Sequence, residues 1–132
     1  MKEFGKLYYE KCAYINFDNN SRMDILFNEE FDLDRIIQGL KIESGINIEP
    51  ENTLIIFDEI QETPNALKAL KYFYENANEY HIVAAGSLLG VAMHQGTSFP
   101  VGKVNFMDLM PLSFFEFLDA LGQEHLLNLL KN

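Results

Sequence analysis

Residues 54–57, LIIF, form an uninterrupted apolar run that ends in two carboxylates, Asp58 and Glu59. A strand that is apolar at every position is typical of a parallel sheet that is covered on both faces. A second run of this kind, HIVAA, begins at residue 81, and one helical pattern lies between the two runs. Strand, helix and strand in this order indicate parallel neighbours, so both runs should end at the same edge of one sheet.

The other patterns alternate in the same way and predict an α/β fold. Expected strands cover residues 12–18, 54–59, 81–87 and 103–112, and expected helices cover residues 31–45, 63–77, 113–122 and 124–132. Residues 87–100 should form a short helix or turn followed by a loop. Thr63 and Pro64 are typical of a helix start, and Ser113 with Glu116 matches a capping box. The sequence therefore predicts a single domain over residues 1–132, a mostly parallel sheet flanked by helices in three layers.

Composition disfavours two classes of partner. Acidic residues outnumber basic ones by 20 to 10, and the resulting net charge of −10 repels nucleic-acid phosphates. No apolar run reaches the roughly 18 residues that a membrane-spanning helix needs. The N-terminus also lacks the apolar core of a signal peptide. We expect a cytoplasmic protein with neither a nucleic-acid nor a membrane partner.

The cysteine and the three histidines are expected to be structural. Cys12 is the single cysteine, which excludes an internal disulfide and fits a reducing compartment. It adjoins a predicted strand and should be a small buried apolar residue. His81, His94 and His125 lack the spacing of metal ligands, so structural or surface roles are expected for them.

The carboxylate pair lies where open α/β sheets bind their ligands, outside the carboxyl ends of the strands. Asp58 could hold Mg²⁺ there, directly or through water, while Glu59 could orient or deprotonate an attacking water. Ser87 follows the neighbouring strand and could reach a γ-phosphate or the same water. The pair also suits a solvated strand end that caps the next helix, and this alternative stays open.

Three segments are similar to one family, in a continuous match over about residues 4–121. They read LIIFDEIQETPNALKALKYFYEN, YHIVAAGSLLGV and SFPVGKVNFMDLMPLSFFEFL. They resemble the prokaryotic AAA-type ATPases, P-loop enzymes that carry a C-terminal domain of uncharacterised function. The resemblance implies that LIIFDEIQ is the Walker B strand and AAGS the sensor strand. It further implies that Asp58 is the Mg²⁺ ligand, Glu59 the catalytic base and Ser87 the sensor, with Mg²⁺ and ATP as the cofactors.

The phosphate-binding loop of that family, a glycine-rich segment ending in Gly-Lys-Ser/Thr, does not occur in these 132 residues. Residues 5–6 have no upstream glycine, and residues 96–104 space their glycines by five residues where the motif needs four. Arg22 and Arg35 are the only arginines, so no later arginine finger is expected. We therefore expect a partial ATPase domain without its P-loop strand, which binds Mg-ATP weakly and hydrolyses little.

Two functions follow from this reading. The chain is either a fragment of an AAA-type ATPase core or a non-enzymatic protein-binding module that retains the ATPase fold. The expected partner is a protein in both cases, either a second copy of the chain or the other domains of the ATPase. The resemblance implies that the P-loop strand lies between the strands at residues 81–87 and 103–112, so its loss would leave a gap with unpaired backbone groups on both. The strand at residues 103–112 could move over and pair with the strand at residues 81–87, or a second copy of the chain could supply strands and form a dimer.

Overall fold

A computed structural model describes residues 1–87 and 102–131, and the fold is built on three parallel strands. The strands are β1 (Lys11–Asn16), β2 (Thr53–Asp58) and β3 (His81–Ala84), in the order β1-β2-β3. The helices of the described residues are α1 (Lys2–Tyr8), α2 (Ser21–Asn28), α3 (Leu33–Ser44), α4 (Pro64–Asn76), α5 (Phe114–Ala120) and α6 (Glu124–Lys131), with a 3₁₀ turn at Ile60–Glu62. The predicted α/β class is confirmed. The helix or turn expected at residues 87–100 lies outside the described residues, apart from Ser87.

β2 is the central strand because it pairs on both sides. Its parallel register sets Asn16 of β1 beside Asp58, and Ala84 of β3 beside Phe57. Residues 54–57 are all buried, as expected of a strand that is covered on both faces. Because all three strands run in one direction, their carboxyl ends meet at a single edge of the sheet.

Helices cover both faces of the sheet. On one face, Ile55 and Phe57 belong to the main core, together with buried residues of α2, α3 and α4. The alternate residues of the strands face the other way, where α1 packs closely on the sheet. A Cβ atom placed on Gly5 of α1 would lie 2.8 Å from Cys12 Sγ and 3.3 Å from Leu54 Cδ2. The layers are therefore helix, sheet and helix, as the sequence predicts.

Three buried phenylalanines form the centre of the core. The ring centroids of Phe17 and Phe57 lie 5.2 Å apart at 82°, and those of Phe27 and Phe57 lie 6.0 Å apart at 85°. These are edge-to-face contacts, the favoured arrangement of aromatic pairs. The cluster joins the residue after β1 to α2 and to the central strand, and so it fixes the layer that supports the ends of β1 and β2.

Helix ends follow the sequence signals with one exception. Gly45 ends α3 in the left-handed conformation, at φ 67°, and Ser113 and Glu116 form both hydrogen bonds of the capping box at the start of α5. Thr63 occupies the predicted N-cap position of α4, but its side chain makes no capping hydrogen bond. Its hydroxyl lies 2.6 Å from Asp24 Oδ1 and donates to it, which ties the start of α4 to α2.

The predicted strand at residues 103–112 is wrong. Residues 105–113 have no regular secondary structure, and no backbone hydrogen bond joins them to a strand within the described part of the chain. An extended segment without a paired neighbour does not form a strand. Lys103 instead attaches this segment to α4, through an ion pair with Glu75 at 3.6 Å and a position 4.8 Å from the ring centre of Tyr74. Tyr74 is accordingly exposed, while the adjacent Phe73 is buried in the core.

The outer edge of β3 borders an apolar cleft. The cleft has a volume of about 440 Å³ and is lined by side chains of α4, by β3 and by residues 103–107. No strand within residues 1–87 and 102–131 pairs with this edge, so the strand predicted at residues 103–112 does not close it. Dimerisation through the edge stays a prediction.

Candidate active site at the carboxyl ends of the strands

The two carboxylates lie at the carboxyl end of the central strand, where the sequence predicts them. Asp58 is the last residue of β2, and Glu59 follows it in the left-handed conformation, at φ 54° and ψ 40°. This conformation is costly for a residue that carries a Cβ, and such strained residues concentrate at functional sites. Ile60 N holds the turn in place by donating to Ala85 O at 3.2 Å, beyond the end of β3.

The Asp58 carboxylate is held on both oxygens. Tyr14 OH donates to Asp58 Oδ2 at 2.6 Å from the neighbouring strand β1, and the backbone N–H of Glu59 donates to Oδ1 at 3.2 Å. The hydrogen bond to Asp58 raises the pKa of Tyr14 above its usual range, and burial and the negative charges of Asp58 and Glu59 add to the effect. The phenol therefore stays a neutral donor that fixes the orientation of Asp58.

Gln61 connects the second carboxylate to the neighbouring strand end. Its side-chain amide Nε2 donates to Glu59 Oε2 at 2.6 Å, and the same nitrogen lies 3.5 Å from Ser87 Oγ. The first distance is that of a strong charge-assisted hydrogen bond, and the second is at the outer limit for any hydrogen bond. Gln61 Oε1 is buried and has no hydrogen-bond partner within the described part of the chain. The amide thus lies between Glu59 and Ser87.

Ser87 reaches this position because the β2–β3 pairing continues beyond β3. Ala85 N donates to Phe57 O at 2.8 Å, one residue after the strand ends at Ala84. Ser87 then lies in an exposed turn at the same sheet edge as the carboxylates. The predicted proximity of Ser87 to the carboxylate pair is confirmed, although the expected strand at residues 81–87 ends three residues early.

The donor set fits one kind of metal site. No group of three His, Cys, Asp or Glu side chains could hold a metal ion within residues 1–87 and 102–131. Mg²⁺ in nucleotide sites is held by one or two carboxylates, with phosphates and waters as the other ligands. Asp58 and Glu59 are both partly exposed, and each Asp58 oxygen keeps a lone pair beyond the hydrogen bond it accepts. The residues present therefore fit Mg²⁺ brought by a nucleotide.

The other residues singled out in the sequence have different surroundings. Cys12 is half-buried, not fully buried as predicted, because it faces α1 and not the main core. His81 lies at the start of β3, where its Nδ1 shares a hydrogen bond of 2.8 Å with Tyr9 OH. His125 is exposed on α6, and His94 lies outside the described residues.

Two contributors to the site, Tyr14 and Gln61, were not predicted from the sequence. Tyr14 could have been noticed as a hydroxyl-bearing aromatic residue on a strand that ends at the same edge. Gln61 lies only two residues after Glu59, but its contact with Ser87 joins residues 26 positions apart. Such a contact depends on the register of two strands, which one short segment does not reveal.

Comparison with known proteins gives one family match. A family model described as AAA domain matches residues 1–118, which include both carboxylates, Gln61 and Ser87. Neither a curated protein nor a solved structure matches the chain. Within the described residues, none of the helices combines the length and the apolar character needed to cross a membrane. The family match spans most of the sequence, and the chain therefore belongs to the AAA domain family of ATPases.

Proposed function

We propose that residues 1–132 form the Walker B and sensor part of an ATPase core, from the prokaryotic AAA-type ATPases that carry a C-terminal domain of uncharacterised function. The observation that carries this proposal is the Gln61 amide, which lies within 2.6 Å of Glu59 Oε2 and 3.5 Å of Ser87 Oγ. A base and a sensor must act on the same water and phosphate, so they must lie together. The ends of β2 and β3 supply that proximity.

Asp58 is the proposed ligand of Mg²⁺. Its two oxygens are oriented by Tyr14 and by the N–H of Glu59, so little reorganisation is needed when a cation binds. When it is bound with ATP, the metal ion would neutralise charge on the phosphates. The hydrogen bond from Tyr14 fixes the orientation of Asp58 and leaves it able to coordinate a metal ion, because each carboxylate oxygen can accept more than one contact.

Glu59 is the proposed base for the attacking water. Gln61 holds its Oε2, and no hydrogen bond to Oε1 is formed by any residue that the structure describes. Oε1 is therefore available to accept a proton from a water bound at this edge. Ser87 Oγ, on the other side of the Gln61 amide, could contact the same water or a phosphate oxygen.

This chain alone should bind nucleotide weakly. The 132 residues contain no Gly-x-x-x-x-Gly-Lys-Ser/Thr segment, and that loop supplies most contacts to the β-phosphate and γ-phosphate. Contacts worth about 4 kcal/mol correspond to roughly a thousandfold in affinity. We expect a dissociation constant for Mg-ATP in the high micromolar range or weaker, and little hydrolysis.

Nuclear magnetic resonance can test the site despite weak affinity. The isotope-labelled chain is titrated with ATP and Mn²⁺, whose unpaired electrons broaden the amide signals of nearby residues. We expect broadening to be strongest at Asp58, Glu59 and Ser87, and to be much reduced in the Asp58→Ala variant. Asp119→Asn, which removes a carboxylate from exposed α5, is the matched control and should leave the pattern unchanged.

Two results would contradict the proposal. Broadening spread over the acidic surface, and equal in the Asp58→Ala variant, would show nonspecific cation binding. An absence of nucleotide-dependent broadening at millimolar ATP would favour the alternative, a protein-binding module without an ATPase site. Low-micromolar ATP binding would contradict the expected weak affinity but not the position of the site.

A further inference from the structure

Exposed apolar side chains are concentrated in the segment that leads into α5 and in α5 itself. Six of these side chains are Met107, Leu109, Met110, Leu112, Phe114 and Phe117. Two of them are almost completely accessible, with exposed fractions of 96% for Met107 and 98% for Leu109. We call this set the 107–117 surface. A concentration of exposed apolar side chains on a folded domain marks a binding site.

The short helix α5 presents apolar side chains on most of its circumference. Leu118 is buried, while Phe114, Phe115 and Phe117 are exposed. A surface helix normally exposes a polar face and buries its apolar stripe. The capping box at Ser113 and Glu116 nevertheless fixes the start of the helix, so the phenylalanines are presented on an ordered element.

The charged residues of the segment that carries this surface have one sign. Residues 104–130 contain four acidic residues, Asp108, Glu116, Asp119 and Glu124, and no lysine or arginine. All four acidic side chains are exposed. We call these four acidic residues the acidic rim. A segment that combines exposed apolar side chains with acidic ones is complementary to a partner that presents apolar side chains flanked by basic ones.

We propose that the 107–117 surface binds a cationic amphipathic segment of a protein partner. The chain's net charge of −10 would also attract such a partner over longer distances. A second copy of the chain is a poorer occupant, because it would bring two acidic rims together. An anionic membrane is a poorer occupant for the same reason.

The test uses a fluorescent synthetic peptide of about 18 residues, built from leucine and lysine in the pattern of an amphipathic helix. Two control peptides separate the contributions. One has the same composition in a scrambled order, and the other has glutamate in place of lysine. Binding is measured by fluorescence anisotropy at about 50 mM and about 500 mM NaCl. We expect binding of the amphipathic basic peptide only, weaker at high salt.

Paired variants show whether binding occurs at the 107–117 surface. Replacing both Met107→Ser and Leu109→Ser should weaken binding about tenfold. The matched apolar control is Ile25→Ser with Ile42→Ser, since these side chains are also highly exposed but lie on α2 and α3. It should bind like the original chain.

A second pair of variants tests the acidic rim. Asp108→Asn with Asp119→Asn should weaken binding about threefold to tenfold. Its control, Glu10→Gln with Glu79→Gln, changes the net charge equally at exposed positions elsewhere and should have a smaller effect.

Several outcomes would overturn the proposal. Equal losses in the rim variant and its charge control would show nonspecific attraction to an acidic protein. Equal binding of the scrambled peptide would show the same. Self-association that increases with salt and disappears in the Met107→Ser, Leu109→Ser variant would identify a second copy as the occupant. Binding of the chain to vesicles of anionic phospholipid through the same residues would identify a membrane.

Discussion

The Tyr14 phenol donates to the Asp58 carboxylate at 2.6 Å, across the neighbouring strands β1 and β2. The register sets Asn16, not Tyr14, directly beside Asp58, so the long tyrosine side chain extends two positions along the sheet to make this contact. The contact couples the protonation of Tyr14 to the charge at the proposed metal ligand. Measurements of folding stability can therefore test this part of the candidate site without a nucleotide.

Tyr14 should make stability depend on pH in the alkaline range. Its pKa is raised in the folded protein, first by the hydrogen bond to Asp58, so the folded state retains the phenolic proton longer than the unfolded state. This contribution is fully present below about pH 10, the ordinary pKa of tyrosine, and is lost as pH rises through the raised value. Urea unfolding at several pH values, together with phenolate absorbance, measures it.

The Tyr14→Phe variant should lack this part of the loss of stability at alkaline pH. At neutral pH it should lose about 0.5–1 kcal/mol of unfolding free energy, because the hydrogen bond is only partly shielded from water. Tyr8→Phe changes a highly exposed tyrosine and should leave both quantities unchanged. An alkaline decline that is identical in the Tyr14→Phe variant would show that other groups cause it.

Core packing predicts that substitutions at two nearby positions of α2 lower the free energy of unfolding by very different amounts. Phe27 is fully buried against Phe17 and Phe57, while Ile25 is 63% exposed. Phe27→Ala should lower the free energy of unfolding by about 3–5 kcal/mol, because it removes apolar contacts and leaves a cavity. Ile25→Ala should change it by about 0.5 kcal/mol or less. Chemical denaturation of both variants measures the difference, and similar losses would contradict the described position of α2.

The sheet was predictable because two of its strands, β2 and β3, carry local signals. Residues 54–57 and the run from residue 81 are continuously apolar, and helix α4 between them starts at Pro64 as expected. α2 was not predicted, since its buried residues, Met23 and Phe27, lie among polar ones. Its start depends on Asn20, whose side chain accepts from Met23 N, and its packing depends on distant strands.

The segment at residues 103–112 shows why a local pattern can mislead. Its alternating apolar residues are typical of a strand, but strand formation also requires a hydrogen-bonded neighbour, which is a non-local condition. The carboxylate pair was located correctly because the end of a buried strand is visible in the sequence. Tyr14 and Gln61 could not be located, because their contacts depend on how the strands align and on the turn after Glu59.

The end of α3 offers a test of backbone conformation. Gly45 has φ +67°, and a Cβ atom there would meet no neighbour within 4 Å among the described residues. Any cost of a substitution is therefore conformational and not steric. Gly45→Ala should lower the free energy of unfolding by about 1 kcal/mol, whereas Gly45→Asn should cost less, because asparagine tolerates this conformation. Thermal or urea unfolding of the two variants gives the order, and equal losses would contradict the assignment.

The side-chain amide of Gln61 is the hydrogen-bond donor to Glu59 Oε2. Gln61→Glu replaces the group that donates to Glu59 Oε2 with a second carboxylate at hydrogen-bond distance. Two carboxylates that close cannot both ionise without repulsion, so the pair should retain one proton at a pKa above the usual range. We expect the variant to lose about 1–2 kcal/mol of unfolding free energy at neutral pH.

Lowering the pH should reverse this loss of unfolding free energy, because the pKa of the carboxylate pair is raised in the folded state only. The folded variant binds the extra proton more tightly than the unfolded chain does. Its deficit in unfolding free energy, relative to the original chain, should therefore vanish below about pH 4.3, the ordinary pKa of glutamate. The deficit should return as pH rises through the raised pKa. Gln61→Met removes the donor without adding a charge, so its deficit in unfolding free energy should change less with pH than that of Gln61→Glu. Urea unfolding of the three proteins between about pH 4 and pH 8 distinguishes them. A Gln61→Glu deficit that stays constant over this range would show that Gln61 does not contact Glu59 in solution.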